Sequence, residues 1–236
     1  MSGFAFKQFT IHQEGVAMKV GVDGVMLGAW ASGPEQVGRI LDIGTGTGVI
    51  ALMLAQRFIQ ASVMGVEVNP AAASGASDNV ARSKWHNRIE IVCADIADFV
   101  QHPTAQFDII VSNPPYFTDG FPVADTGRKW ARDTQSLPHM VLATVMYHLL
   151  APAGIASVIL PVQEGEQFIQ IMQQQQLFLH KHTRVVTKAG KQSKRSLLAF
   201  GKTQVPIAED EIIIHEASGE FSSAYRKLTG DFYLAF

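Results

Sequence analysis

The stretch LDIGTGTGVIALMLAQRF, residues 41–58, decides the fold. The apolar run RILDIG (39–44) ends in Asp and Gly, as a buried strand does where it leaves a sheet. Gly44, Gly46 and Gly48 follow at alternate positions and let the backbone turn sharply and approach a ligand closely. VIALMLAQRF (49–58) then sets apolar residues at helical spacing among good helix formers. A strand, a glycine turn and a helix in direct succession begin an alternating α/β chain.

The alternation continues downstream. SVMGVEV (62–68) reads as a second strand, and Pro70 can open the helix PAAASGASDNVARSKW. RIEIVCAD (88–95) is a third strand with Ile89, Ile91 and Cys93 on one face, and FDIIVS (107–112) a fourth. A helix over 136–150, with Ser136 as its cap and Pro138 in its first turn, precedes a fifth strand, GIASVILP, and the helix EGEQFIQIMQQQQ. HTRVVTK (182–188) and RSLLAFG (195–201) lie too close together for a helical crossover, so they should pair antiparallel as a hairpin. DEIIIHE and FYLAF finish the chain. The pattern predicts an α/β doubly wound fold: a seven-stranded, mostly parallel sheet with helices on both faces and a C-terminal antiparallel hairpin. No linker interrupts it, so one domain is expected, with residues 1–38 as an N-terminal extension and 39–236 as the core.

Composition narrows the function. The 236 residues are 47% hydrophobic and 17% charged, as in a compact globule, and the formal charge of −2 gives no global attraction for nucleic acid. Any such binding must come from a local basic patch. The single cysteine, Cys93, excludes an internal disulfide and a Cys-based metal cluster, and no metal is expected. Its apolar setting predicts a buried, inert strand end. The start MSGFAFKQFTIHQ lacks a long apolar core, and no run approaches the ~20 residues of a membrane span. A cytoplasmic, non-membrane enzyme or binding protein is the expectation.

Ligands of open α/β sheets bind beyond the carboxyl ends of the strands, where the glycine loop lies. Glu67 ends the second strand, where a carboxylate can accept both ribose hydroxyls of an adenosine moiety. The glycines alternate as G-x-G-x-G, unlike the G-x-G-x-x-G of dinucleotide sites, and no phosphate-cradling G-x-x-x-x-G-K-[ST] is present. Asp42 would repel a pyrophosphate but suits a cationic or amine-bearing ligand. The arrangement D-x-G-x-G-x-G resembles motif I of S-adenosylmethionine-dependent methyltransferases of the Rossmann-like class I. That resemblance implies an S-adenosylmethionine cofactor held by Asp42, Gly44, Gly46, Gly48 and Glu67. It also implies an adenine contact at Asp95, which is equally placed to cap the short helix IADFV.

The fourth strand ends in Asn113-Pro114-Pro115-Tyr116, where proline stops the ladder. This resembles the N-P-P-Y motif IV of methyltransferases acting on conjugated nitrogens. The Asn113 side-chain oxygen and the Pro114 carbonyl can accept the two N–H groups of a target amine, and Tyr116 can stack on its ring. The resemblance makes Asn113, Pro114 and Tyr116 catalytic and puts Asn113 next to the cofactor; Pro115 and Phe117 adjoin the substrate.

The whole chain, from FAFKQFTIHQEGVAMKVGVDGVMLGAW through NPPYF to SSAYRKLTGDFYLAF, is similar to the tRNA1(Val) (adenine-37-N6)-methyltransferase family. This implies a tRNA acceptor, modified on adenine N6 beside the anticodon, and a segment before motif I that brings Lys19 and Asp23 near the cofactor. An ion pair or cap is the other role open to those two. Basic groups for RNA are Arg128, Lys129 and Arg132, and, on the late hairpin, Lys191, Lys194 and Arg195 beside Lys188. A solvated charge run is the alternative for each group. A monomer is expected. Other N-P-P-Y substrates, an rRNA or DNA base amine or a release-factor glutamine, share the same chemistry.

Overall fold

The computed structural model describes residues 3–13, 19–101, 105–115 and 138–235. A short antiparallel hairpin, β1 (Gly3–Ala5) and β2 (Thr10–His12), precedes helix α1 (Val22–Trp30). Then come β3 (Arg39–Ile43), α2 (Val49–Arg57), β4 (Ser62–Glu67), α3 (Pro70–Ala81), β5 (Ile89–Cys93), α4 (Ile96–Phe99) and β6 (Phe107–Ser112). The second half holds α5 (His139–Leu149), β7 (Leu150–Pro161), α6 (Val162–Gln174), β8 (Phe178–Lys188), β9 (Arg195–Gly201), β10 (Ala208–His215) and α7 (Ser223–Thr229).

The main sheet has the order β10-β8-β9-β7-β6-β3-β4-β5. β3 pairs in parallel with both β4 and β6, so the chain winds outward in two directions from β3. The crevice at that reversal, beyond the carboxyl ends of β3 and β6, is where such sheets bind ligands. β9 runs antiparallel between β7 and β8, which is the expected hairpin. The sheet contains the seven strands read from the sequence and an eighth: β10, parallel to β8, at the edge.

Alternation along each strand divides the core into two layers. Ile40, Ile109, Val111 and Ile159 face α1 and α2, whereas Leu41, Ile43, Ile110 and Val158 face α5 and α6. Helix α1 is buried from Gly24 to Trp30 and belongs to the first layer. At its end the Arg57 guanidinium donates to the carbonyls of Gly28 and Ala31, at 2.8 and 2.7 Å, and so caps it. Pro70 opens α3 as expected, with Asn69 accepting from the N–H groups of Ala71 and Ala72. Pro138 stands at the cap position of α5, and Ser136 lies outside the described residues.

One core expectation is corrected. Cys93 is exposed, not buried. β5 is the last strand of the sheet, and burial fades along it from Ile89 to Cys93; among the described residues no further strand pairs on its outer side.

Candidate active site

The β3–α2 loop needs its glycines. Gly44, Gly46 and Gly48 have φ of 71°, 55° and 78°, in the left-handed region that excludes most side chains. The N–H groups of Gly44 and Thr45 donate to the Val66 carbonyl at 2.8 and 3.2 Å, which fastens the loop to the end of β4. Glu67 completes the fastening: its Oε2 accepts from Gly46 N–H at 2.9 Å and its Oε1 from Asn69 N–H at 3.0 Å. The predicted ribose acceptor thus also shapes the glycine loop. Each carboxylate oxygen retains a further lone pair for a ligand hydroxyl.

Asp42 is fully buried under the loop. Its Oδ2 accepts from Thr45 Oγ1 at 2.6 Å, whereas Oδ1 has no hydrogen-bond partner. Burial raises its pKa to about 7; the Thr45 hydrogen bond and the nearby Ala51 N–H lower it, and Glu67 raises it slightly. A buried carboxylate oxygen left without a donor is the feature expected of a group that receives an amine or ammonium from outside.

Three residues that the sequence did not single out shape this loop. Thr45, itself buried, supplies the Asp42 hydrogen bond, and Gly65 on β4 leaves room for it. A Cβ at Gly65 would come within 2.9 Å of Thr45 Oγ1 and 2.8 Å of Ile91 Cδ1. Asn79, buried on α3, donates from Nδ2 to the carbonyls of Thr47 and His12 at 3.0 Å each, and its Oδ1 accepts from His12 N–H at 2.9 Å. No local pattern marks Asn79, which sits in a polar-looking stretch and gains its partners only when β2 folds over α3.

Around the pocket the strand order does the assembling. β5, β4, β3 and β6 are consecutive, so Asp95, Glu67, the glycine loop and Asn113 project from four adjacent strand ends. Asp95 is exposed and caps α4 by accepting from Ala97 N–H at 2.8 Å, one of the two roles expected of it. At the end of β6, buried Ser112 donates from Oγ to the Ile43 carbonyl at 3.0 Å, locking the two central strand ends together. Asn113 is half-buried, Pro114 buried and Pro115 exposed. Asn113 also meets α1: a Cβ on Gly24 would lie 3.9 Å from Asn113 Nδ2. Tyr116 and Phe117, together with Arg128, Lys129 and Arg132, lie outside the described residues.

Lys19 is exposed just before α1. Asp23, in its first turn, forms an ion pair with Arg195, Nε to Oδ2 at 2.9 Å. Lys188, Lys191 and Lys194 are exposed on the β8–β9 turn. Arg195 pairs with Pro161, at the carboxyl end of β7, so this turn projects from the same end of the sheet as Asn113. At the opposite end lies a cavity of ≈ 250 Å³ lined by Arg39, Arg88 and Phe107, among others. Arg88 there already donates to the carbonyls of Ala55, Phe58 and Ala61, so its charge serves the fold. Among the described residues no group of three or more His, Cys, Asp or Glu is placed to hold a metal ion, and no helix is long and apolar enough to cross a membrane.

Comparison with known proteins agrees with this arrangement. The family model of the methyltransferase small domain matches residues 28–130. A tRNA1(Val) (adenine(37)-N6)-methyltransferase of Bacteroides fragilis is 42% identical over 98% of this chain and 97% of its own length. One of Haemophilus influenzae is 41% identical over the full length of both chains. The fold is that of a crystal structure of a predicted O-methyltransferase from Agrobacterium tumefaciens, with a TM-score of 0.71 at 20% identity over 89% of this chain and 96% of that one. A methyltransferase from Pyrococcus furiosus follows at 0.52 and 20% identity, over 81% and 91%. The alternating glycines, the acids on adjacent strand ends, the Asn-Pro-Pro after β6 and identity above 40% along the whole chain lead to one conclusion: the chain belongs to the tRNA1(Val) (adenine(37)-N6)-methyltransferase family.

Proposed function

We propose that this protein methylates the exocyclic N6 of adenine 37 in tRNA1(Val), using S-adenosylmethionine. The observation that carries the reading is the apposition of the glycine loop and Asn113-Pro114 on the paired strands β3 and β6. The donor supplies an electrophilic methyl group on a sulfonium. Asp42, with its unpartnered oxygen, and Glu67, facing the loop, fit the amine and ribose ends of such a molecule. The three left-handed glycines leave the loop backbone open to it.

The adenine amine is a poor nucleophile because its lone pair is delocalised into the ring. The Asn113 side-chain oxygen and the Pro114 carbonyl accept its two N–H groups and draw the nitrogen towards sp³ geometry, with the lone pair aimed at the methyl carbon. The N–C bond forms as the C–S bond breaks, and the nitrogen then gives up one proton to solvent. Orientation and fixed dipoles lower the barrier without a strong base. The prolines hold the carbonyl in place. Tyr116 stacks on the base, and Phe117 and Pro115 border it; Asp95 and Lys19 flank the donor. Arg128, Lys129 and Arg132 join Lys191 and Lys194 in meeting phosphate. Adenine 37 lies in a single-stranded loop, so it reaches the pocket without the breaking of a base pair.

In this reading residues 1–38 cap the donor pocket of a single domain, and the protein acts as a cytoplasmic monomer. Mass spectrometry of tRNA1(Val) from a strain lacking the gene tests the reading. Loss of the methyl group at adenine 37, restored by the wild-type gene but not by Asn113→Ala, is expected; a methyl group still present in the deletion strain overturns it.

A further inference from the structure

Helix α1 is tied at both ends to the β8–β10 edge of the sheet. At its start, Asp23 receives Arg195 Nε at 2.9 Å, the two side chains being 25% and 30% exposed. At its end, Trp30 Nε1 donates to buried Thr183 Oγ1 on β8 at 2.9 Å, and Thr183 donates in turn to Asp210 on β10. Lys181 closes this second tie, pairing with Asp210 at 3.2 Å and lying 5.2 Å from the centre of the Trp30 ring. Between the ties, Gly24 faces Asn113 and Gly28 faces Met53. The helix therefore sits where the edge strands hold it, and its first turn forms one side of the setting of Asn113.

Arg195 also closes off the basic turn. Its Nη1 donates to the Lys194 carbonyl at 3.1 Å, and Lys194 N–H donates to the Val185 carbonyl at 3.0 Å. Lys188, Lys191 and Lys194 point into solvent, whereas the Arg195 guanidinium turns back towards Asp23. An ion pair this far from full exposure holds its partners in one geometry more firmly than a surface pair does.

We propose that Arg195 is a positioning residue for methyl transfer: through Asp23 it holds the first turn of α1 against Asn113, while the lysines of the adjoining turn meet the RNA. The proposal rests on the tRNA-methyltransferase reading above, and it removes Arg195 from the phosphate contacts and Asp23 from the donor contacts expected from sequence.

The test compares Arg195→Gln, Asp23→Asn and the double variant with Lys191→Ala/Lys194→Ala. The first three are expected to lower kcat by about tenfold to a hundredfold, as misplacement of a reacting group does. The double variant should be no worse than either single change. Their tRNA Kd stays within about twofold of wild type and its salt dependence is unchanged, whereas the lysine variant lowers the slope of log K against log[salt] by about 0.7 per lost contact. A lower slope for Arg195→Gln, or a kcat for Asp23→Asn equal to wild type, overturns the proposal. So does a kcat loss that follows only the fraction of folded protein. A second measurement needs no RNA. The Asn113 side-chain amide resonances, assigned through Asn113→Ala in ¹H–¹⁵N spectra, should shift in both single variants; unmoved resonances overturn the proposal. Should wild type leave tRNA unmethylated, the acceptor reading fails, and these spectra still decide the role of Arg195.

Discussion

Asn79 donates from Nδ2 to the Thr47 carbonyl at 3.0 Å, which ties the last turn of α3 to the glycine loop. The same side chain exchanges two further hydrogen bonds with the backbone of His12, so one buried amide joins the N-terminal hairpin, α3 and the loop. Asn79→Ala strands a buried N–H and two carbonyls, at about 1–3 kcal/mol for each group that water cannot reach. The expected outcome is a lower urea midpoint and weaker S-adenosylmethionine binding, read by denaturation and calorimetry. A variant that binds as wild type does would show that the loop holds its shape without this tie.

Asn113 separates binding from chemistry. In the proposed reaction, replacing it by alanine removes one acceptor from the target amine, which is expected to lower kcat by about 10²–10³, the usual effect of losing one preorganised group at a developing charge. Donor affinity should change by only a few-fold. Single-turnover transfer of labelled methyl to tRNA, beside equilibrium dialysis of the donor, distinguishes the two effects.

If Asp42 receives the donor's amine as proposed, stability and binding are expected to respond to pH in opposite directions. Its pKa is raised from 3.8 to about 7, so between those values the folded protein holds a proton that the unfolded chain has released. The stability this group provides is complete below about pH 4 and falls as pH rises through about 7. Melting temperatures taken from pH 5 to pH 8 should therefore fall for wild type relative to Asp42→Asn. A ligand ammonium needs the ionised form, so donor affinity should rise with pH by up to about tenfold per unit below pH 7 and then level off. Parallel melting curves for the two proteins would remove Asp42 as the titrating group.

Gly65 is expected to resist even a methyl group. A Cβ there meets Ile91 and Thr45 at 2.8 and 2.9 Å, and Thr45 is the residue that hydrogen-bonds Asp42. Gly65→Ala should destabilise the protein by about 1–3 kcal/mol through overpacking. It should also weaken donor binding, because Thr45 must move. Thermal denaturation with and without the donor measures both effects.

The order of strands and helices was legible because fully buried parallel strands are continuous apolar runs, and each ends at a glycine, an acid or a proline. β10 was harder to see: its first half, Ala208–Glu211, is charged and exposed, as befits an edge, so only IIIH carries a strand signal. Cys93 misled for the related reason that an apolar setting does not say whether a strand is central or marginal.

The site divides along the same line. Gly44, Gly46, Gly48, Glu67 and the Asn113-Pro114 pair could be found from sequence, because a left-handed turn, an acid at a strand end and a rigid double proline are local necessities of backbone chemistry. The ties Asn79–Thr47, Ser112–Ile43 and Asp23–Arg195 could not, since they join residues 32, 69 and 172 positions apart. Local steric rules act within a few residues and leave a mark in the sequence. Which polar groups satisfy one another across the sheet depends on strand order and burial, and tertiary structure alone decides that.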